Sequence, residues 1–229
     1  MIGWGFIKMK KKMMWFIEIL LVIIGLALVF NQQISDMLVN KMTTTDLKKS
    51  VSQKHSKEGS FDFSKVKSAS ASRVVKASLT SESTGMIGKI AVPAVNLKLP
   101  IFYGISNNNL LRGAGTMKAK QEMGTGNYAL AGHHMNNPNI LFSPLAKAKV
   151  GDKVYLTDGK KVYVYQINVR KSISKYQVQV IDDVAGKKMV TLITCDPIKG
   201  VAHTPLRILL QGNLQKVENV TKKNAKMFE

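Results

Sequence analysis

The chain has a single cysteine, Cys195, which closes the apolar run TLITC at 191–195. A thiol acts as a nucleophile through its thiolate, and a nearby cation favours that form. A cysteine that attacks a carbonyl also needs a partner to hand a proton to the leaving group. Arg207, at the head of RILLQG, can supply the cation, and four histidines can supply the partner: His55, His133, His134 and His203. Each residue alone has a plainer reading. Cysteine is a small buried hydrophobe in many cores. An arginine leading a strand can simply solvate an edge, and a histidine ending one can be a turn residue. A metal is a weak alternative. No CxxC or HExxH spacing is present, and adjacent His133 and His134 point to opposite faces if extended. No metal ligands are assigned.

Side chains alternate across a strand, so Thr191, Ile193 and Cys195 share one face and Val190, Leu192 and Thr194 the other. If MVTLITC pairs antiparallel with LRILLQG, Arg207 falls beside Cys195. Leu209 then shares its face, and Leu206, Ile208 and Leu210 face the core. In ALAGHH, Ala131 and Ala129 lie on the face of His133 and leave room for an extended ligand. Eight runs read as strands: MIGKIAVPAV, LKLPIFYGI, NYALAGH, DKVYLTD, KVYVYQINV, YQVQVID, MVTLITC and LRILLQG. Eight short strands with frequent turns imply a barrel or sandwich. FSPLAKAKVGD reads as a helix, with Ser143 as its cap, Pro144 in its first turn and Gly151 as its stop.

Residues 1–12 are basic and precede an apolar run at 13–30, MMWFIEILLVIIGLALVF, whose one charge is Glu18. The run is just long enough to span a bilayer, and the preceding lysines favour a cytoplasmic N-terminus. No small-residue cleavage pattern follows, so it reads as an uncleaved signal anchor. Residues 31–80 are polar and read as an extracellular spacer, although FDFSKVKSASASRVVKASL is amphipathic enough to pack on the domain. Residues 81–216 form the candidate catalytic domain, and 217–229 read as a frayed polar tail. The net charge of +20 suits anionic lipid or wall polymer. No motif with interleaved aromatics indicates nucleic acid.

LAGHH, TLITC and RILL, in that order behind an N-terminal anchor, resemble the sortases, and FSPL adds to the likeness. The similarity covers about 85–213 and is nearest to class A, the housekeeping type. It implies an all-β fold, an eight-stranded sortase-type β-barrel with short helices, preceded by a transmembrane helix. It also implies a cysteine transpeptidase of the cell membrane that recognises LPxTG-like signals on secreted proteins. Cys195 attacks the Thr carbonyl, and an amine of a lipid II-like peptidoglycan precursor resolves the thioester. His133 is then the acid and base, and Arg207 binds the substrate carbonyl and developing oxyanion. Thr194 completes the oxyanion site through its hydroxyl or backbone. Ala131, Ile193, Val178 and Val180 line the substrate groove, under a strand and loop at 175–189. His134 and His203 stand behind the site. Some class A sortases bind calcium through acidic residues before the histidine strand. Here that stretch, RGAGTMKAKQEMGTG, offers only Glu122 and several lysines. Activity without calcium is expected, with Lys118 or Lys120 pairing with Asp182 or Asp183 in the ion's place.

Two other readings keep the same residues. A cysteine hydrolase would pass its thioester to water even when an amine is present. A tethered binding domain would keep Cys195 as core filling.

Overall fold

The computed structural model describes residues 3–52, 59–80, 85–196 and 204–229. Two helices lead the chain, α1 (Gly3–Val29) and α2 (Asn31–Leu47), followed by α3 (Ala71–Leu79). Strands β1 (Met86–Val92), β2 (Leu97–Phe102), β3 (Ala114–Thr116) and β4 (Asn127–Ala131) come next, with the one-turn helix α4 (Asn107–Leu110) before β3. Then follow β5 (Lys153–Thr157), β6 (Lys161–Ser174), β7 (Met189–Cys195), β8 (Leu206–Asn219) and a last turn, α5 (Lys222–Ala225). The strands close into a barrel in the order β1-β2-β3-β4-β7-β8-β6-β5.

Alternation decides which side chains fill the barrel. Tyr128 and Leu130 of β4, Val190 and Leu192 of β7, and Ile208 and Leu210 of β8 join the main core with Ile90, Leu99, Leu156 and Tyr165. The opposite faces of the same strands build a second apolar cluster on the outside. It contains Ala129, Ile193 and Leu209, joined by Ile105, Leu110, Met117, Ile173 and Ile181. That outer cluster floors the groove described below.

Seven of the eight strand readings hold. The exception is YQVQVID, whose Val178–Ile181 forms a 3-10 turn. Its alternating valines satisfy the strand pattern, but the carbonyls of Gln177 and Gln179 accept backbone N–H groups within the turn, and those of Val180 and Asp182 accept side chains, instead of a neighbouring strand. The eighth strand is β3, three residues within RGAGTMK that are too short and glycine-rich to signal a strand. The FSPLAKAKVGD helix shrinks to a 3-10 turn, Ser143–Lys147. Ser143 does not cap it, because its hydroxyl accepts from the Met135 N–H (2.7 Å) and donates to the Met135 carbonyl (3.2 Å).

The stretch read as a spacer is structured where described. Helices α2 and α3 bury Val39, Met42, Val74 and Ala77 against the barrel core. A buried ion pair holds them. Arg112 Nη1 meets Asp46 Oδ2 at 3.2 Å, and Nη2 donates to the carbonyls of Ala77 (2.8 Å) and Thr80 (2.6 Å). Asp46 Oδ1 also pairs with Lys49 Nζ at 2.5 Å, so it is the loss of Asp46 that would strand a buried charge, that of Arg112, at about 3–5 kcal/mol. Polar composition hid this because only one stripe of each helix is buried. The tail is also packed, with Phe228 buried against Ala91, Val162 and Val164.

Helix α1 exposes apolar side chains on all sides, among them Trp15, Phe16, Leu21 and Val22. Among the described residues no single helix is long and apolar enough to cross a membrane. The pair Met13–Val29 and Asn31–Leu47, bent by 69°, meets that test together.

Candidate active site

Strand register assembles the site. Strands β4 and β7 run parallel, with Ala131 opposite Ile193. His133 and Cys195 each lie two residues beyond that pair, so they leave adjacent strands at the same level and on the same side. Gly132 N–H donates to the Ile193 carbonyl (3.2 Å), and the Thr194 hydroxyl returns a bond to the Gly132 carbonyl (2.8 Å). On the other side β8 runs antiparallel to β7 and sets Arg207 directly opposite Cys195. The three residues come from three neighbouring strand ends and line one cavity of about 580 Å³.

The loop after β4 is braced from below. Gly132 packs so closely on the Phe142 ring that an added Cβ would lie 2.5 Å from it. The Phe142 N–H donates to the His133 carbonyl at 3.0 Å. The FSPL motif thus fixes the backbone that carries the histidine.

His133 is only 8% exposed, and its Nε2 has no hydrogen-bond partner among the described residues. Burial, and then the positive charge of Arg73 on α3, push its pKa down to about 4. At neutral pH it is a neutral imidazole able to accept a thiol proton. The Arg207 Nη1 donates to the carbonyls of Thr204 (2.9 Å) and Leu206 (2.8 Å), which ties the guanidinium to its own chain. Cys195 is free and half-buried.

Thr194, Ala131, Ile193, Val178 and Val180 all line the cavity. Thr194 needs one correction. Its hydroxyl is committed to the Gly132 carbonyl, and the side chain is buried, so the hydroxyl braces the His133 loop and does not face an oxyanion. His134 does not line the cavity. It bridges to Leu141, and burial lowers its pKa against the opposing pull of Asp196. His55 and His203 lie outside the described residues.

The connection between β6 and β7 forms one wall of the groove and is held by side chains. Asn127 Nδ2 donates to the carbonyls of Val180 (3.0 Å) and Asp182 (3.1 Å), and its Oδ1 accepts from the Thr191 hydroxyl (2.7 Å). Gln211 Nε2 donates to the Val180 carbonyl as well (3.2 Å). Asp183 Oδ1 accepts from Asn127 N–H (2.6 Å) and pairs with Lys118 Nζ (2.7 Å). The Lys118 bond, followed by the Asn127 bond, lowers the Asp183 pKa. A calcium ion does not fit this set. A lysine already neutralises the one carboxylate the network uses, and no cluster of three or more His, Cys, Asp or Glu occurs among the described residues.

Sequence reasoning missed Ile105, Leu110, Met117 and Ile173 in the groove, and Asn127 as the hub of its wall. The only signal for Asn127 was a polar residue opening an otherwise apolar strand.

Comparison with known proteins agrees with this geometry. A family model described as the sortase domain matches residues 90–215. Sortase A of Listeria monocytogenes is 40% identical over 215 residues, covering 90% of this chain and 93% of that protein. Sortase A of Streptococcus agalactiae is 43% identical over 213 residues, covering 88% and 84%. The crystal structure of Listeria monocytogenes sortase A superposes with a TM-score of 0.59 at 44% identity, covering 62% of this chain and 97% of that one.

Proposed function

Because the chain belongs to the sortase family, we propose that it is a sortase A-type cysteine transpeptidase that cuts an LPxTG-like signal and joins the protein to a peptidoglycan precursor. The observation that carries this reading is the register of β4, β7 and β8, which delivers His133, Cys195 and Arg207 to one groove. Neutral His133 takes the thiol proton as Cys195 Sγ attacks the Thr carbonyl. Arg207 stabilises the oxyanion that forms. The Thr–Gly bond breaks, the leaving amine takes the proton from His133, and a thioester remains on Cys195. An amine of the precursor loses its proton to His133 and attacks the thioester. The new amide forms, and the thiol regains the proton.

The apolar stretch 13–30, which begins within α1 and leads into α2, is read as the single-pass anchor, with the barrel outside the cell. Its support is the run of lysines at 8–12 just before it and the exposure of its apolar side chains. The enzyme works without calcium on this reading, since Lys118 supplies the positive charge at Asp183.

The test is intact-mass spectrometry of the full chain in detergent with an LPxTG peptide, with and without a glycine-type amine. An acyl adduct that moves from Cys195 to the amine, and is absent in Cys195→Ala, is the expected result. An adduct released only to water would make the protein a hydrolase. No adduct on a folded chain would reject the enzyme reading.

A further inference from the structure

The residues before the barrel do more than connect it to the helix α1. Phe63, Ser64 and Val66 line the same cavity as Cys195, although they lie outside the matched family domain. Val66 packs on the outer apolar cluster that floors the groove. Phe63 is 43% exposed at the mouth. The β6–β7 connection lines the same cavity with Tyr176 and Val178, 76% and 58% exposed.

This segment is fixed to the barrel at both ends. The Ile105 N–H donates to the Ser60 carbonyl (2.7 Å), and the Phe61 and Tyr103 rings meet edge to face at 5.1 Å. Gly104 adopts φ +81°, and a Cβ there would lie 2.8 Å from the Ser60 carbonyl oxygen, so close approach of the two backbones requires a glycine. At the other end Asn107 Oδ1 accepts from the Lys67 N–H (2.8 Å), and its Nδ2 donates to the Lys65 carbonyl (3.2 Å). Between these anchors Asp62 accepts from the N–H of Ser64 (2.9 Å) and stiffens the turn. A strap that swings away to admit substrate would be held more loosely.

The cavity joins the polar His133, Cys195 and Arg207 to apolar lining from Ile105, Leu110, Met117 and Ile173. A scissile bond on Cys195 leaves the rest of an extended peptide to cross the apolar part. We propose that the turn around Phe63–Lys65 is a preformed lip of the substrate groove. Phe63 and Val66 then grip an apolar side chain of the sorting signal against Tyr176 and Val178. This rests on the proposed function for the identity of the ligand, but not on turnover.

The test therefore reads binding. A fluorescent LPxTG peptide is titrated into the full chain in detergent carrying Cys195→Ala, with and without Phe63→Ala. Because Phe63 is partly exposed, its truncation should leave the thermal midpoint in place. The expected result is a Kd about fivefold weaker in Phe63→Ala. A peptide whose Leu is replaced by Ala should bind weakly to both proteins, with little difference between them. Unchanged or tighter binding in Phe63→Ala would overturn the proposal, tighter binding marking the segment as a blocking strap. An equal loss for both peptides would also overturn it. If Phe63 controls peptide binding but the native chain forms no Cys195 adduct, the lip stands and the transpeptidase reading falls.

Discussion

The floor of the groove and its walls are built by different forces. The floor is β4, β7 and β8, where backbone ladders set Ala131 against Ile193 and Cys195 against Arg207. The β6–β7 wall has no ladder. Its backbone hangs on Asn127, Gln211 and the Lys118–Asp183 pair. Ladder geometry survives a neighbour's truncation, whereas a wall held by a few side chains does not. Changes at the reactive ends should therefore act on turnover, and changes at the wall on peptide affinity.

The largest effect should come from the floor. Arg207→Ala should lower kcat/KM by about 10²–10³, as for loss of an oxyanion donor, with most of the change in kcat. Arg207→Lys should recover little, because an ammonium cannot reproduce the fork of a guanidinium. A loss confined to KM would move Arg207 from the reaction to simple binding.

Next comes the buried histidine. A pKa of about 4 in the folded chain, against 6.5 when exposed, means the unfolded state binds the proton first as pH falls. Stability tied to neutral His133 is complete above pH 6.5 and drains away towards pH 4, by about 3 kcal/mol. Urea unfolding of the native chain and of His133→Gln at several pH values should show a flatter acid limb in the variant. Parallel limbs would mean that His133 is more accessible than its burial indicates.

The wall is tested by Asn127→Ala, which deletes two donors and one acceptor from a buried site. A loss of about 2 kcal/mol should appear as a KM raised up to roughly thirtyfold with kcat nearly kept, and as faster proteolysis near 178–188. A drop in kcat alone would show that wall and floor are not separable. The smallest effect should be at Lys118→Ala. Lys118 and Asp183 are 18% and 64% exposed, and such pairs contribute at most about 1 kcal/mol. A change of a few-fold in KM is expected, and excess chelator should leave the native chain's activity unchanged. Strong stimulation by calcium would overturn the role given to Lys118.

The legible parts of the site were those that depend on strand parity. Cys195, Ile193 and Arg207 follow from alternation and one antiparallel pairing, and the structure keeps all three on the groove side. The Lys118–Asp183 pair was one of four combinations suggested by the resemblance to calcium-binding class A sortases, and the structure selects it. For Thr194 only the hydroxyl route to an oxyanion falls, and the backbone route stands as an expectation: alternation gave its face, but only the proximity of Gly132 decided what its hydroxyl bonds. YQVQVID alternates like a strand, and nothing local could show that Asn127 and Gln211 would claim the carbonyls at its end.

The sequence by itself determined the barrel's strand faces, the apolar leading helix and the His, Cys, Arg order, because these rest on periodicity and residue chemistry carried within each segment. Tertiary structure alone decided that β4 and β7 lie parallel and adjacent, that Arg112 clamps α2 and α3 to the barrel, and that Phe63 and Val66 reach the groove. Those contacts join residues far apart in the chain. They exist only when the closed barrel brings the surfaces together, so no local pattern encodes them.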